Sequence, residues 1–118
     1  PSAYLSLKEG RCYERYDHDP TICEGLAGGF GIVPFQIAKD LIDEVVLVND
    51  EEAREAILAL VEAEQLVVEG SAAVGVAALL FNKVDLKGKK VVAVISGGNI
   101  DIGLLAEILA QRLQRRAQ

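Results

Sequence analysis

Methionine and tryptophan are absent from this 118-residue chain, histidine occurs once, cysteine twice, and aromatic residues make up only 5%. With His18 as the sole histidine, no Ser/His/Asp constellation is visible. Its neighbourhood, Asp17-His18-Asp19, reads as a solvated loop, because three adjacent loop residues do not converge on one ion without further ligands; no metal site is expected. Cys12 and Cys23 are too few for a secreted disulfide framework, and their spacing matches no zinc motif, so a reducing, cytoplasmic setting is expected. Basic residues are also short, 12 against 18 acidic ones for a net charge of −6, with no Lys/Arg stripe. That balance argues against nucleic acid or an anionic membrane as partner and favours a small ligand. Long hydrophobic runs are missing as well: the longest, residues 72–81, is interrupted by Gly75 and falls short of a bilayer span. With no charged-then-apolar leader at its start, the chain is expected to be soluble.

What is present is apolar: 51% of the residues are hydrophobic and 25% charged, which suits one domain with a buried core and leaves no room for a second. No internal repeat or low-complexity segment is seen. Residues 1–31 hold a short helical stretch at 4–8, a polar loop at 14–20, and the glycine-rich Thr21-Ile22-Cys23-Glu24-Gly25-Leu26-Ala27-Gly28-Gly29. Helical spacing of Phe35, Ala38, Leu41 and Ile42, with Pro34 in the first turn, predicts a helix over 33–42. The run Val45-Val46-Leu47-Val48 lacks polar alternation and predicts a strand covered on both faces. Asn49 and Glu52 form a capping box ahead of a helix whose buried stripe is Ala53, Ala56, Ile57, Leu60 and Val61.

A short strand at 66–68 then leads through Glu69-Gly70-Ser71 into a helix over 72–81, apolar all round and therefore expected to be buried. A polar connection at 85–90, built on Gly88, delivers the chain to a strand at 91–95. The last helix carries Leu104, Leu105, Ile108, Leu109 and Leu113 on one face, and Arg112, Arg115 and Arg116 complement its C-terminal dipole. Alternating strands and helices imply an α/β fold, a partial three-layer αβα arrangement with a parallel sheet and ligands at the strands' carboxyl ends.

Two element ends meet there, Glu69-Gly70-Ser71 and Ser96-Gly97-Gly98-Asn99. A buried strand, a glycine turn and a helix start present backbone N–H groups and a hydroxyl to a ligand, so residues 96–99 read as a cofactor edge. The same residues also suit a plain strand-to-helix turn. Glu69 is open to two readings, a carboxylate near a cofactor or one stabilised by the positive end of a helix dipole. Gly25 and its neighbouring glycines allow close backbone approach, whether for a tight loop or for a cofactor face.

Three segments carry a resemblance. Residues 21–29 resemble the "T-I-A-D-G-[LI]-A" segment, Glu69-Gly70-Ser71-Ala72-Ala73 the "E-[PG]-[AS]-[GA]-A" segment, and residues 96–101 the "S-G-G-N-[IV]-D" segment of the threonine and serine dehydratases. These are pyridoxal-phosphate enzymes of the tryptophan-synthase-β type (fold type II), a group that includes serine racemase. The segments occur in family order and the resemblance spans essentially the whole chain. It implies that Ser96 donates to the pyridine nitrogen, that Asn99 holds the turn, that Gly97 and Gly98 let the backbone pass beside the ring, that Gly25 lies against the cofactor, and that Glu69 sits near it. Cys23 and Glu24 stand where the family has Ala and Asp.

The family's catalytic lysine, in a Ser-x-Lys motif, and its phosphate loop have no counterpart in this sequence. Ser6-Leu7-Lys8 is out of family order, and Lys8 reads as a surface lysine. The chain is therefore expected to be the C-terminal part of the large domain, beginning near the family's Glu-Pro at Pro1. The implied parent reaction is deamination of L-threonine or L-serine to a 2-oxo acid and ammonia; this chain alone has no catalytic residue for it and is expected to be inactive. Serine racemization, dehydration of another β-hydroxy amino acid, and a non-catalytic α/β binding module are the alternatives. An incomplete sheet further implies self-association or docking of a missing N-terminal segment.

Overall fold

Asn49 begins the helix against which much of the chain is packed. In the computed structural model, which describes residues 1–116 without the Arg116 side chain, Asn49 Oδ1 accepts from the Glu52 N–H at 2.9 Å and the Glu52 carboxylate accepts from the Asn49 N–H at 2.9 Å. This reciprocal pair satisfies two donors that a helix start otherwise leaves open, and it opens α3, Asp50–Glu64. Lys83 Nζ lies 2.6 Å from Glu52. That bond first, and the Asn49 backbone second, hold the Glu52 carboxyl below the usual glutamate range.

The helices named from here on are α1, Ser2–Glu9; α2, Ile32–Leu41; α4, Gly70–Leu80; and α5, Ile102–Arg116, with a single 3-10 turn at Glu24–Leu26. The predicted stripe of α3 is found: Ala53, Ala56, Ile57 and Leu60 are buried, with Leu58 beside them. Opposite it, α4 offers Ala72, Ala73 and Ala77, and α5 adds Ile108. Small side chains on α4 leave room for Ile57, which is fully buried. α1 packs on α2 at the other end, where the buried Ser6 hydroxyl accepts from the Tyr13 N–H at 3.0 Å.

Ion pairs join α5 to α3. Arg112 reaches Glu62 at 3.2 Å, Arg115 reaches Glu55, and Arg54 reaches Glu107 at 3.0 Å. Glu62 holds the Arg112 guanidinium above its ordinary value. Exposed pairs of this kind contribute about 0–1 kcal/mol each and orient the helix more than they stabilise it. So the arginines expected to complement a dipole are engaged by α3 carboxylates, and the Arg116 side chain lies outside the described residues.

The parallel sheet expected from residues 45–48, 66–68 and 91–95 does not form among the described residues, where no strand is present. A strand exists only by exchanging hydrogen bonds with a neighbour. Here the 66–69 and 95–98 stretches meet through one such bond, Glu69 N–H to Gly97 O at 3.2 Å, and Val92 is 90% and Val94 78% exposed. The expectation that residues 72–81 would be buried all round is corrected. Leu79, Leu80 and Phe81 are exposed because no described element covers that side of α4, and Leu113 on α5 is exposed for the same reason.

Replacing Ile57 by alanine removes buried methyl groups from the contact of α3 with α4 and α5. The expected loss is about 2–5 kcal/mol, whereas Leu113→Ala is expected to stay within about 0.5 kcal/mol; urea unfolding of the two variants measures both.

Candidate functional site

The N-terminus of α4 gathers the three segments singled out in the sequence. Glu69, half-buried, precedes α4 with an extended backbone (φ −79°, ψ 163°) and makes no side-chain cap. Its N–H donates to Gly97 O, and its carboxylate occupies the space that a Cβ at Gly97 would take. Two residues on, the Ser71 hydroxyl accepts from the Gly25 N–H at 2.8 Å. Between them Gly70 lies so close to Ile22 that any Cβ would overlap the Ile22 carbonyl. Glycine at 70 is thus a steric requirement of bringing the 21–25 segment onto the helix start.

That segment is held from a second side. Asp50, in the first turn of α3, accepts from the Thr21 hydroxyl at 2.6 Å through Oδ1 and from the Ile22 N–H at 3.1 Å through Oδ2. The Thr21 hydroxyl in turn accepts from the Cys23 N–H at 3.1 Å. Burial first, and the Asp50 charge second, push the Cys23 thiol above its ordinary value, partly offset by a bond with Thr21. A cleft of about 750 Å³ opens beside residues 21–28, with Val46, Val48 and Val74 in its wall and the Asp17-His18-Asp19 loop at its rim. No group of His, Cys, Asp and Glu that could hold a metal occurs among the described residues, and no described helix is long and apolar enough to cross a membrane.

At the other end of the site, Ser96, Gly98 and Asn99 are exposed. Among the described residues neither the Ser96 hydroxyl nor the Asn99 amide has a hydrogen-bond partner. α5 is started instead by Asp101, whose Oδ1 accepts from the Leu104 N–H at 3.0 Å and whose carbonyl accepts from the Leu105 N–H at 2.9 Å. The turn therefore leaves Ser96, next in the chain to Gly97, with a donor that has no partner among the described residues. The sequence reading missed Asp50, the partner role of Ser71, and the cap formed by Asp101. Asp101 follows the ordinary helix-start rule and could have been found by it; Asp50 could not, since Thr21 is 29 residues away.

Residues 1–97 match the family model described as pyridoxal-phosphate dependent enzyme. The chain belongs to this pyridoxal-phosphate dependent enzyme family. An L-threonine ammonia-lyase of Thermotoga maritima is 48% identical over 114 residues, which is 96% of this chain and 28% of that protein. Among solved structures, serine racemase from Dictyostelium discoideum has a TM-score of 0.76 at 34% identity, covering 86% of this chain and 32% of that one. The processed form of threonine deaminase isoform 2 from Solanum lycopersicum has a TM-score of 0.77 at 31% identity, covering 92% and 32%. The chain thus spans about 28% of the length of that ammonia-lyase, and its fold family is that of the fold type II enzymes.

The residues present fit one edge of the family's cofactor. A neutral pyridine nitrogen accepts a hydrogen bond, and the Ser96 hydroxyl is a donor without a partner among the described residues. Ser96 itself is exposed, so its hydroxyl can be approached.

Because Asp101 caps α5, Asp101→Ala is expected to destabilise the chain by about 0.5–2 kcal/mol. Ser96→Ala, which breaks no bond in the fold, is expected to leave the thermal unfolding midpoint unchanged. Calorimetry on the two variants compares them directly.

Proposed function

We propose that this chain forms part of the cofactor site of a pyridoxal-phosphate-dependent hydroxy-amino-acid dehydratase that converts L-threonine or L-serine to a 2-oxo acid and ammonia. The observation that carries this reading is the meeting of Gly25, Glu69 and Gly97 at the start of α4, with Ser96 next in the chain and its hydroxyl without a partner among the described residues. Support comes from the 48% identity to an L-threonine ammonia-lyase. Bound pyridoxal phosphate supplies an electron sink for loss of the substrate's α-proton.

In this reading Ser96 would hold the ring edge through a hydrogen bond from its hydroxyl to the pyridine nitrogen. As a neutral donor it would not keep that nitrogen protonated as an aspartate would, which would temper the sink. Gly97 and Gly98 would let the main chain pass beside the ring, Gly25 would lie against the cofactor, and Asn99 would offer its amide nearby. Glu69 presents a carboxylate able to hold or pass a proton near that edge. The lysine that binds the cofactor and the phosphate loop come from elsewhere in the full enzyme, and no residue of this chain is assigned a catalytic role. The same arrangement suits serine racemization, which the 34% identity to the Dictyostelium enzyme favours as the second reading.

The runs at 45–48, 66–68 and 91–95 become strands of a parallel sheet, with helices on both faces, once further polypeptide pairs with them. Left alone, their exposed valines and unpaired backbone favour association. Light scattering on the 118-residue chain is expected to show more than one chain per particle; a monomer across a wide concentration range overturns this.

The activity is tested by exchanging these residues for the corresponding part of the Thermotoga maritima ammonia-lyase and supplying L-threonine. Release of 2-oxo acid and ammonia supports dehydration, and accumulation of the D-amino acid supports racemization. In the same chimera, Ser96→Ala removes one neutral hydrogen bond, worth about 0.5–1.5 kcal/mol, so cofactor affinity falls by no more than about tenfold and turnover falls further. Unchanged turnover per folded, loaded molecule removes Ser96 from the cofactor site.

A further inference from the structure

Asp50 reaches from α3 into the 21–25 segment with both carboxylate oxygens. A carboxylate is an acceptor at each oxygen, and that matters here. The Thr21 hydroxyl spends its proton on Oδ1, which leaves its lone pair to accept the Cys23 N–H; the Ile22 N–H is met by Oδ2. Three successive residues are thereby oriented by one side chain. Two residues further on, the segment is fixed once more, by the Gly25 N–H on Ser71. Between these anchors the backbone cannot shift toward α4, because Gly70 already lies against the Ile22 carbonyl.

We propose that Asp50 is a positioning residue, which acts through Thr21 and Ile22 to hold the Gly25 backbone in register against Ser71 and the start of α4. This deepens the reading of Gly25 as a wall of the cofactor site and rests on it. An ordinary first-turn aspartate stabilises its helix through its charge alone and needs no particular partner at either oxygen. The two-acceptor arrangement is more demanding. Asparagine at 50 has one acceptor and one donor. If its amide nitrogen faces Thr21, the hydroxyl accepts from the amide on one lone pair and keeps the Cys23 N–H on the other, so asparagine can hold all three contacts. Alanine at 50 removes both acceptors at once and leaves the Thr21 hydroxyl and the Ile22 N–H without them.

The test uses amide hydrogen exchange, followed by NMR, in the 118-residue chain without cofactor. Asp50→Ala is expected to speed exchange at Ile22 and Gly25 at least tenfold, with Ala53 at the start of α3 and Ile57 in the core unchanged. Thr21→Val is expected to speed exchange at Cys23 and Gly25, and Thr21→Ser, which keeps the hydroxyl, is expected to behave as the parent. If Gly25 exchanges at the parental rate in Asp50→Ala, the positioning role is wrong. If Ala53 and Ile57 accelerate in step with Gly25, Asp50 acts on the helix or on global stability and the proposal is likewise overturned. Should Asp50→Ala fail to fold, the Thr21 pair decides: equal exchange at Gly25 in Thr21→Val and Thr21→Ser removes the link. Unchanged turnover of Ser96→Ala in the chimera would sink the functional reading without altering these exchange rates, so the two failures are distinguishable.

Discussion

The contact between α3 and α4 sets where everything else goes. α4 brings Ala72, Ala73 and Ala77 to it and α3 brings Ala56, Ile57 and Leu60, so the two helices interlock through small side chains around one large one. Close packing of this kind tolerates little displacement, because even a single methylene of misfit is felt. The start of α4 is therefore a fixed point in the chain. Gly25 reaches it through Ser71, Gly97 through Glu69, and Ile22 by van der Waals approach to Gly70. Asp50, on the other helix of the same pair, holds the incoming segment from behind. A site assembled from residues far apart in sequence inherits its order from this one interface.

The helices could be read locally and the sheet could not. Asn49 and Glu52 name their own helix start three residues apart, and the α3 stripe follows from a period of 3.6, so both survive in the structure almost residue for residue. Pro34 likewise sits in the first turn of α2, as a fixed φ and a missing N–H require. Residues 45–48 and 91–95 carry an equally clear apolar pattern, but a strand needs a partner that no local spacing supplies. Their composition specifies burial on two faces, and among the described residues that burial is not realised. Residues 72–81 failed for a related reason: an apolar composition says that a face wants covering, not that a cover is present.

Glu69, Gly25 and Gly97 meet at the start of α4, and what singled them out in the sequence was the resemblance of their three segments to those of the family. Asn99 was expected to hold the turn, yet its amide has no hydrogen-bond partner among the described residues, and Asp101 performs the capping that organises the helix start. Local rules see a hydroxyl, an amide and a carboxylate within six residues and cannot say which of them the backbone will use. Long-range partners such as Asp50 are invisible to any such rule, since nothing near Thr21 in the sequence points to them.

The division of labour between Asp101 and Ser96 bears on how such a site can diversify. The helix beyond the turn is secured by the carboxylate at 101, so the fold asks nothing of the side chain at 96. Under the proposed cofactor role, mutational drift at that one position would be filtered by chemistry alone: a hydroxyl, a thiol or a carboxylate there would alter how strongly a bound ring draws electrons, and none of them would have to be compensated elsewhere in the chain. A lineage carrying this scaffold could then explore new reactions by single substitutions at position 96, with folding left out of the selection.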